Sequence, residues 1–238
     1  MCHCPCPCPR IRTVPPFSYR TFQCCTRTPD GPPRLPVFRR KRCPCRSQFR
    51  MYFLRGDIPI CRNYARGGGR PRKFIQWQVP PEKLDFQRYL PLFFDGLCET
   101  TFPYREFARN GVRDMISKAR EKQLLCCLPM LILPAKRALN TKDPDVIIAT
   151  LRALQQLVQA GPWVGPALVP YYRQLLPVMN MFKPVNCNIG GHIDFQGGHR
   201  LGDVINETLM VLERTGGKDA YLNIKYMVPT YESCVYNR

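Results

Sequence analysis

Residues 143–162, DPDVIIATLRALQQLVQAGP, carry the plainest fold signal in the chain. Asp143 is a residue type that caps helix N-termini. Pro144 suits the first turn, where a missing N–H costs no intrahelical bond. Ile147, Leu151, Leu154 and Val158 then recur at intervals of three and four, which places them on one side of an α-helix. Gly161-Pro162 ends the pattern.

The same periodicity extends in both directions. EKLDFQRYLPLFFDGL, residues 82–97, reads as one helix ending near Gly96. A second opens at Thr101 with Pro103 in its first turn, and carries Phe107, Ala108, Val112, Met115 and Ile116 inward. Residues 123–139 form a strongly apolar helix that Pro129 and Pro134 are expected to kink or interrupt, since each removes a donor and crowds the preceding turn. Residues 166–182 give another helix, with Leu168, Tyr172, Leu175 and Met179 on one face. Residues 184–198 are glycine-broken and read as a loop. Leu201, Val204, Ile205, Leu209 and Leu212 then mark a helix stopped by Gly216-Gly217. Asp219 is placed to cap a last short helix before Pro229, and TYESCVYNR packs or extends as a tail.

A Leu-Pro step recurs at Leu90-Pro91, Leu128-Pro129 and Leu176-Pro177, with Val228-Pro229 as a looser fourth copy. The intervals are 38, 48 and 52 residues. Periods near forty point to stacked helical hairpins of the armadillo or HEAT kind, which hold partners rather than perform chemistry. The expected fold is therefore all-α, a short armadillo/HEAT-like helical solenoid over residues 81–238.

Residues 49–80 differ. FRMYFLRGDIPICRNY is apolar-rich, Gly67-Gly68-Gly69 breaks the chain, and KFIQWQV follows with strand-favouring residues. Two extended segments about a glycine loop predict a β-hairpin, with Arg66, Arg70, Arg72 and Lys73 around its tip. Residues 1–48 hold 10 prolines and no sustained apolar period. Such a stretch buries too little to offset its ordering entropy and reads as a disordered tail.

Charge divides the chain at the same place. Residues 1–80 carry a net +15, whereas residues 81–238 carry a net +4. A polycation seeks nucleic acid, an anionic membrane or an acidic protein surface. FRRKRCPCR supplies Arg39, Arg40, Lys41 and Arg42 in series, giving sequence-independent phosphate affinity. No recognition helix or stacking aromatic accompanies it, so these residues leave nucleic acid and acidic protein equally open.

Chemistry finds little support. The histidines are His3, His192 and His199, and there is no G-x-S-x-G, phosphate-binding loop or dinucleotide fingerprint. Neither enzyme activity nor a cofactor is expected. Cys2, Cys4, Cys6 and Cys8 alternate with His3 and prolines, but C-x-C spacing departs from the paired knuckles of structural zinc sites. His192 and His199, with Cys187 upstream, read as a flexible glycine loop rather than a metal site. No apolar leader and no run of 18 apolar residues is visible, so neither a signal peptide nor a membrane span is expected. The unpaired cysteine pattern fits a reducing cytosolic compartment.

Several segments, taken in order, have a family likeness: RGDIP at 55–59, EKLDFQRYLPLFFDGLCETTFPYREFARNG at 82–111, ALVPYYRQLLPVMNMF at 167–182, GDVINETL at 202–209 and NIKYMVPTYESC at 223–234. They resemble the parkin co-regulated gene protein family of cilia and flagella. The resemblance covers residues 49–238; residues 1–48 match no part of it, and the Arg66–Lys73 loop is longer and more basic than usual. It implies an armadillo-like, non-enzymatic structural protein of the axoneme. Such a protein lies at the inner junction of the doublet microtubule, where the B-tubule closes onto the A-tubule. The implied partners are α/β-tubulin, a small β-rich inner-junction protein and a small spermatogenesis-expressed protein. Tubulin is acidic, so Arg39, Arg40, Lys41, Arg42, Arg70, Arg72 and Lys73 are the expected tubulin-binding residues. The alternatives are a nucleic-acid-associated basic protein and a soluble adaptor scaffold.

Overall fold

The computed structural model describes residues 39–41, 47–62, 75–183 and 201–235, together with the backbone of residues 10–11 and 26–27. The chain divides into two units, Met1–Arg39 and Arg40–Arg238. In the first, β1 (Arg10–Ile11) pairs in parallel with β2 (Thr26–Arg27). The disorder expected of residues 1–48 otherwise falls largely outside the described residues, as does the loop expected at 184–198.

The second unit is mostly helical. It opens with a helix where the sequence predicts an extended arm: α1 spans Gln48–Arg55. The reason lies at its two ends. Ser47 Oγ accepts from the backbone N–H of Arg50 at 3.1 Å, capping the first turn. Gly56 adopts φ +82°, and its N–H returns to the Phe53 carbonyl at 3.1 Å. That left-handed turn favours glycine and closes the helix. The hairpin follows in shortened form, with β3 (Ile60–Arg62) antiparallel to β4 (Ile75–Trp77) and Cys61 opposite Gln76. Ile58, Ile60 and Ile75 are buried in the helical core. Trp77 Nε1 donates to Asp114 at 2.9 Å and ties the hairpin to the body.

The expected helix over 82–97 is three pieces. A 3₁₀ turn at Pro81–Lys83 precedes α2 (Phe86–Asp95), and a second 3₁₀ turn covers Gly96–Cys98. Asp85 makes the break, because its carboxylate accepts from Gln87 N–H at 3.0 Å and starts a new helix there. Next, α3 runs Tyr104–Lys118, one residue after a cis Phe102-Pro103 bond. Then α4 runs unbroken over Glu121–Leu139, so neither Pro129 nor Pro134 interrupts it. Leu128, Leu131, Ile132 and Ala135 are all buried around the two prolines, and that packing holds the turns together.

The helix predicted from Asp143 onward forms as expected. α5 spans Pro144–Gln159, and Asp143 Oδ1 accepts from Asp145 N–H at 3.1 Å. The helix expected over 166–182 divides at Pro170 into α6 (Val164–Leu168), a 3₁₀ turn at Val169–Tyr171 and α7 (Tyr172–Phe182). The last elements are α8 (Leu201–Thr215) and α9 (Ala220–Met227). Asp219 precedes α9, but its side chain makes no capping bond. Its carbonyl instead accepts from Asn223 Nδ2 at 2.8 Å.

Every inward residue expected of α3, α5, α7 and α8 is buried. The Leu-Pro steps share one arrangement. Leu90, Leu128 and Leu176 are at most 2% exposed, whereas Pro91 is half-buried and Pro129 and Pro177 are exposed. The leucine anchors the helix in the core and the proline sits toward the surface. Ser47 also donates to buried Glu99 Oε1 at 2.6 Å, so its hydroxyl both caps α1 and ties it to the body. Ser47→Ala is expected to cost about 2–3 kcal/mol, from a lost cap and a weakened buried carboxylate. A urea titration reads this directly, and a loss below about 0.5 kcal/mol would contradict it.

Candidate functional site

Of the predicted basic cluster, Arg40 and Lys41 lie over the turn between α4 and α5. Lys41 N–H donates to the Thr141 carbonyl at 2.8 Å. Thr141 is itself buried, and its hydroxyl donates to the Ala138 carbonyl at 2.7 Å. Arg40 stands 3.9 Å from Asp143, with its side chain 69% exposed. A pair that open is worth little to stability, so the guanidinium stays available to an incoming anion. Lys41 is exposed in the same stretch, and Arg39, also exposed, belongs to the first unit. Arg42, Arg70, Arg72 and Lys73 lie outside the described residues.

A second basic feature is not among the residues predicted from sequence. Arg105, Arg109 and Arg113 recur at intervals of four along α3, which brings like charges together on one side. The signal is legible as spacing, but no two of these arginines are adjacent. Between α3 and α5 is a cavity of about 250 Å³. Arg109, Arg113 and Arg152 line it with Asp145, Val112 and Ile148. Arg109 Nη2 donates to the Asp145 carbonyl at 3.1 Å, while its Nε is buried without a hydrogen-bond partner. Burial, and then the neighbouring Arg105, pulls the Arg109 guanidinium below its ordinary pKa, against the opposing pull of Glu106, Asp145 and Asp143. On the α5 side, Arg152 Nη1 lies 2.8 Å from both carboxylate oxygens of Glu207 and 2.9 Å from Gln155 Oε1.

Two glutamates are buried elsewhere in the body. Glu99 accepts from the Ser47 hydroxyl and, at 3.3 Å, from its N–H. Glu213 on α8 accepts from Tyr231 Oη at 2.7 Å, from the Ser233 hydroxyl, and from Cys234 N–H at 3.0 Å. These carboxylates fasten the two ends of the helical body. The strings LPLFFDGLCE and VPTYESC thus encode packing and a C-terminal clamp.

The model of the Parkin co-regulated protein family matches residues 47–233. This chain belongs to that family. A curated relative, the Parkin coregulated gene protein homolog of Mus musculus, is 49% identical over 210 residues, covering 87% of this chain and 84% of its own length. The family span opens at Ser47, which holds Glu99, and closes at Ser233, which holds Glu213. Arg39, Arg40, Lys41 and Arg42 precede that span, while the arginine groove between α3 and α5 lies within it.

Among the described residues, no group of three or more His, Cys, Asp and Glu is placed to hold a metal ion. Cys2, Cys4, Cys6, Cys8 and His3, and likewise Cys187, His192 and His199, lie outside them. Among the described residues no helix is long and apolar enough to cross a membrane.

Proposed function

We propose that this chain is a non-enzymatic structural protein of the ciliary and flagellar axoneme. It binds tubulin at the inner junction of doublet microtubules, links the A- and B-tubules, and supports assembly and motility. Membership of the Parkin co-regulated protein family over residues 47–233 is the observation that carries this reading. The helices stack in an armadillo-like layer, a rigid scaffold suited to a repeating lattice. The basic tail and hairpin tip meet the acidic tubulin surface. A small β-rich inner-junction protein and a small spermatogenesis-expressed protein are its further partners. Its place is the cytoskeleton of the cytoplasm and the axoneme.

Charge chemistry supports the same reading. The net +15 of residues 1–80 is opposite in sign to tubulin, and Arg40 and Lys41 are exposed where the segment joins the body. Co-sedimentation of the full chain with microtubules tests it. Replacing Arg39, Arg40, Lys41 and Arg42 together by glutamine is expected to weaken binding about tenfold at low salt, because four cations in series are neutralised at once. The difference shrinks as salt rises, because exposed charges are screened. Ser47 is untouched, so α1 keeps its cap. Equal pelleting of both proteins at low salt would sink the role of this segment. Tighter binding to RNA or DNA than to tubulin at physiological salt would favour the nucleic-acid alternative. A diffuse signal absent from axonemes would favour the soluble adaptor.

A further inference from the structure

We propose that the groove between α3 and α5 receives carboxylate side chains from an acidic segment of a partner protein, with Arg109 and Arg113 as the anchoring residues. The groove uses different residues from the Arg39–Arg42 segment and stands whether or not the microtubule reading does.

Four observations converge on it. Arg109 and Arg113 are four apart on α3, where like charges repel and weaken a helix by themselves. Among the described residues neither forms an ion pair: Arg113 Nη1 reaches only the Asn110 side-chain oxygen at 3.5 Å, and Arg109 holds a backbone carbonyl. A guanidinium carries five N–H donors, so most of the capacity of both is unspent. Arg109 Nε is moreover buried without a partner, so hydrogen bonds within the fold leave this guanidinium poorly compensated.

The acids around the groove do not cancel it. Glu106 pairs with Arg105 at 3.1 Å, Glu207 pairs with Arg152 at 2.8 Å, and Asp114 accepts from Trp77. Asp145 is the one lining carboxylate, and it is exposed. A planar carboxylate matches the guanidinium fork in two parallel hydrogen bonds, so Glu or Asp side chains fit the chemistry.

Size and lining select the occupant. A cavity of about 250 Å³ falls below the range of small-molecule and cofactor pockets but admits one or two side chains. Its apolar lining, Leu97, Val112, Ile148, Ala149 and Ala153, is aliphatic. With no aromatic to stack a base, single-stranded nucleic acid loses its usual platform there. An acidic peptide with aliphatic neighbours fits both halves of the lining.

The test uses the full chain and a fluorescein-labelled oligoglutamate peptide, read by anisotropy at low and physiological salt. Arg113→Gln, at an exposed position, is expected to weaken binding about tenfold, as one charge-assisted hydrogen bond is removed. Arg109→Lys keeps the charge but loses the fork, and is expected to weaken it about fivefold with the thermal melt unchanged. Asp145→Asn removes the competing carboxylate and is expected to tighten binding by about twofold, an effect that a purely structural role would not produce. The four-glutamine variant of residues 39–42 is expected to stay within about twofold of the parent. Retained affinity in both arginine variants overturns the proposal. So does weaker binding in Asp145→Asn, or loss confined to the 39–42 variant. Displacement of the peptide by single-stranded RNA at lower concentration than by unlabelled peptide would reassign the groove to nucleic acid.

Discussion

Glu213→Ala is expected to destabilise the helical body by about 3–5 kcal/mol, the range for removing the partner of a buried, hydrogen-bonded network. Glu213 sits on α8 and is 5% exposed. Its carboxylate accepts from Tyr231 Oη, the Ser233 hydroxyl, Cys234 N–H and, at 3.0 Å, Cys234 Sγ. Alanine takes the carboxylate acceptor from all of these donors, and Tyr231, whose hydroxyl points to it, is itself buried. Lys225 Nζ also reaches the Tyr231 carbonyl at 2.8 Å, so loosening this segment frees α9 as well. A chemical-denaturation midpoint reads the loss, and a change under about 1 kcal/mol would show that the clamp carries no weight.

The same carboxylate gives a pH signature. Burial alone would raise the Glu213 pKa, but the hydrogen bonds from Cys234, Ser233 and Tyr231 outweigh it and hold the group below the ordinary carboxylate range. Burial and the bond to Glu213 push the Tyr231 phenol far above its own range, so it remains a donor. A depressed folded pKa means the unfolded chain binds the proton first. The stabilisation is therefore complete above the unfolded pKa of about 4.3 and is lost as pH falls through the lower folded value. In that acid window Glu213 contributes up to about 1.4 kcal/mol per pH unit to the fall in stability. Glu213→Gln cannot titrate, so its stability is expected to fall less steeply with acid than the parent's.

What is legible in the sequence follows from the range of the interactions involved. The inward residues of α5, such as Ile147 and Leu154, declare themselves because helix period and burial act within a few neighbouring positions. The start of α1 is also local: Ser47 before the run and Gly56 after it bracket a helix, with Phe49, Tyr52 and Phe53 at helical spacing. The aromatic content of that run points to strand and masks those end signals. Proline breaks follow from local cost, which is why α4 is expected to kink or be interrupted at Pro129 and Pro134. Burial of Leu128 and Leu131 overrides that cost and has no signature nearby. The roles of Glu99 and Glu213 have no local signal in the sequence, because their partners are 52 and 18–21 residues away. Charge taken as adjacent runs finds Arg39–Arg42 and passes over Arg109 and Arg113, whose meeting on one side depends on helical spacing.

Phe93→Ala is expected to cost about 3–5 kcal/mol, the range for emptying a fully buried aromatic site. Phe93 has no exposed surface, and its ring centre lies 5.2 Å from Phe49 and 5.6 Å from Trp77. It therefore joins α1, α2 and β4 in one contact, and Phe49 continues the stack to Phe53 and on to Phe107 at 4.9 Å. The ring edge also occupies the space a side chain at Gly111 would need. That glycine is kept by the close approach of α2 to α3, not by its backbone angles. Gly111→Ala in the parent forces the ring aside, and overpacking of that kind costs about 1–3 kcal/mol. It recovers about 1 kcal/mol of helix propensity, leaving a small net loss. With the ring already removed, the added methyl enters the void and only the propensity gain remains. The double variant is thus expected to be more stable than the two single losses predict, by the overpacking cost of about 1–3 kcal/mol, within the range for residues in direct contact. Strict additivity across the cycle would mean that α2 and α3 relax apart at this point and that the Phe93–Gly111 approach does not set their spacing.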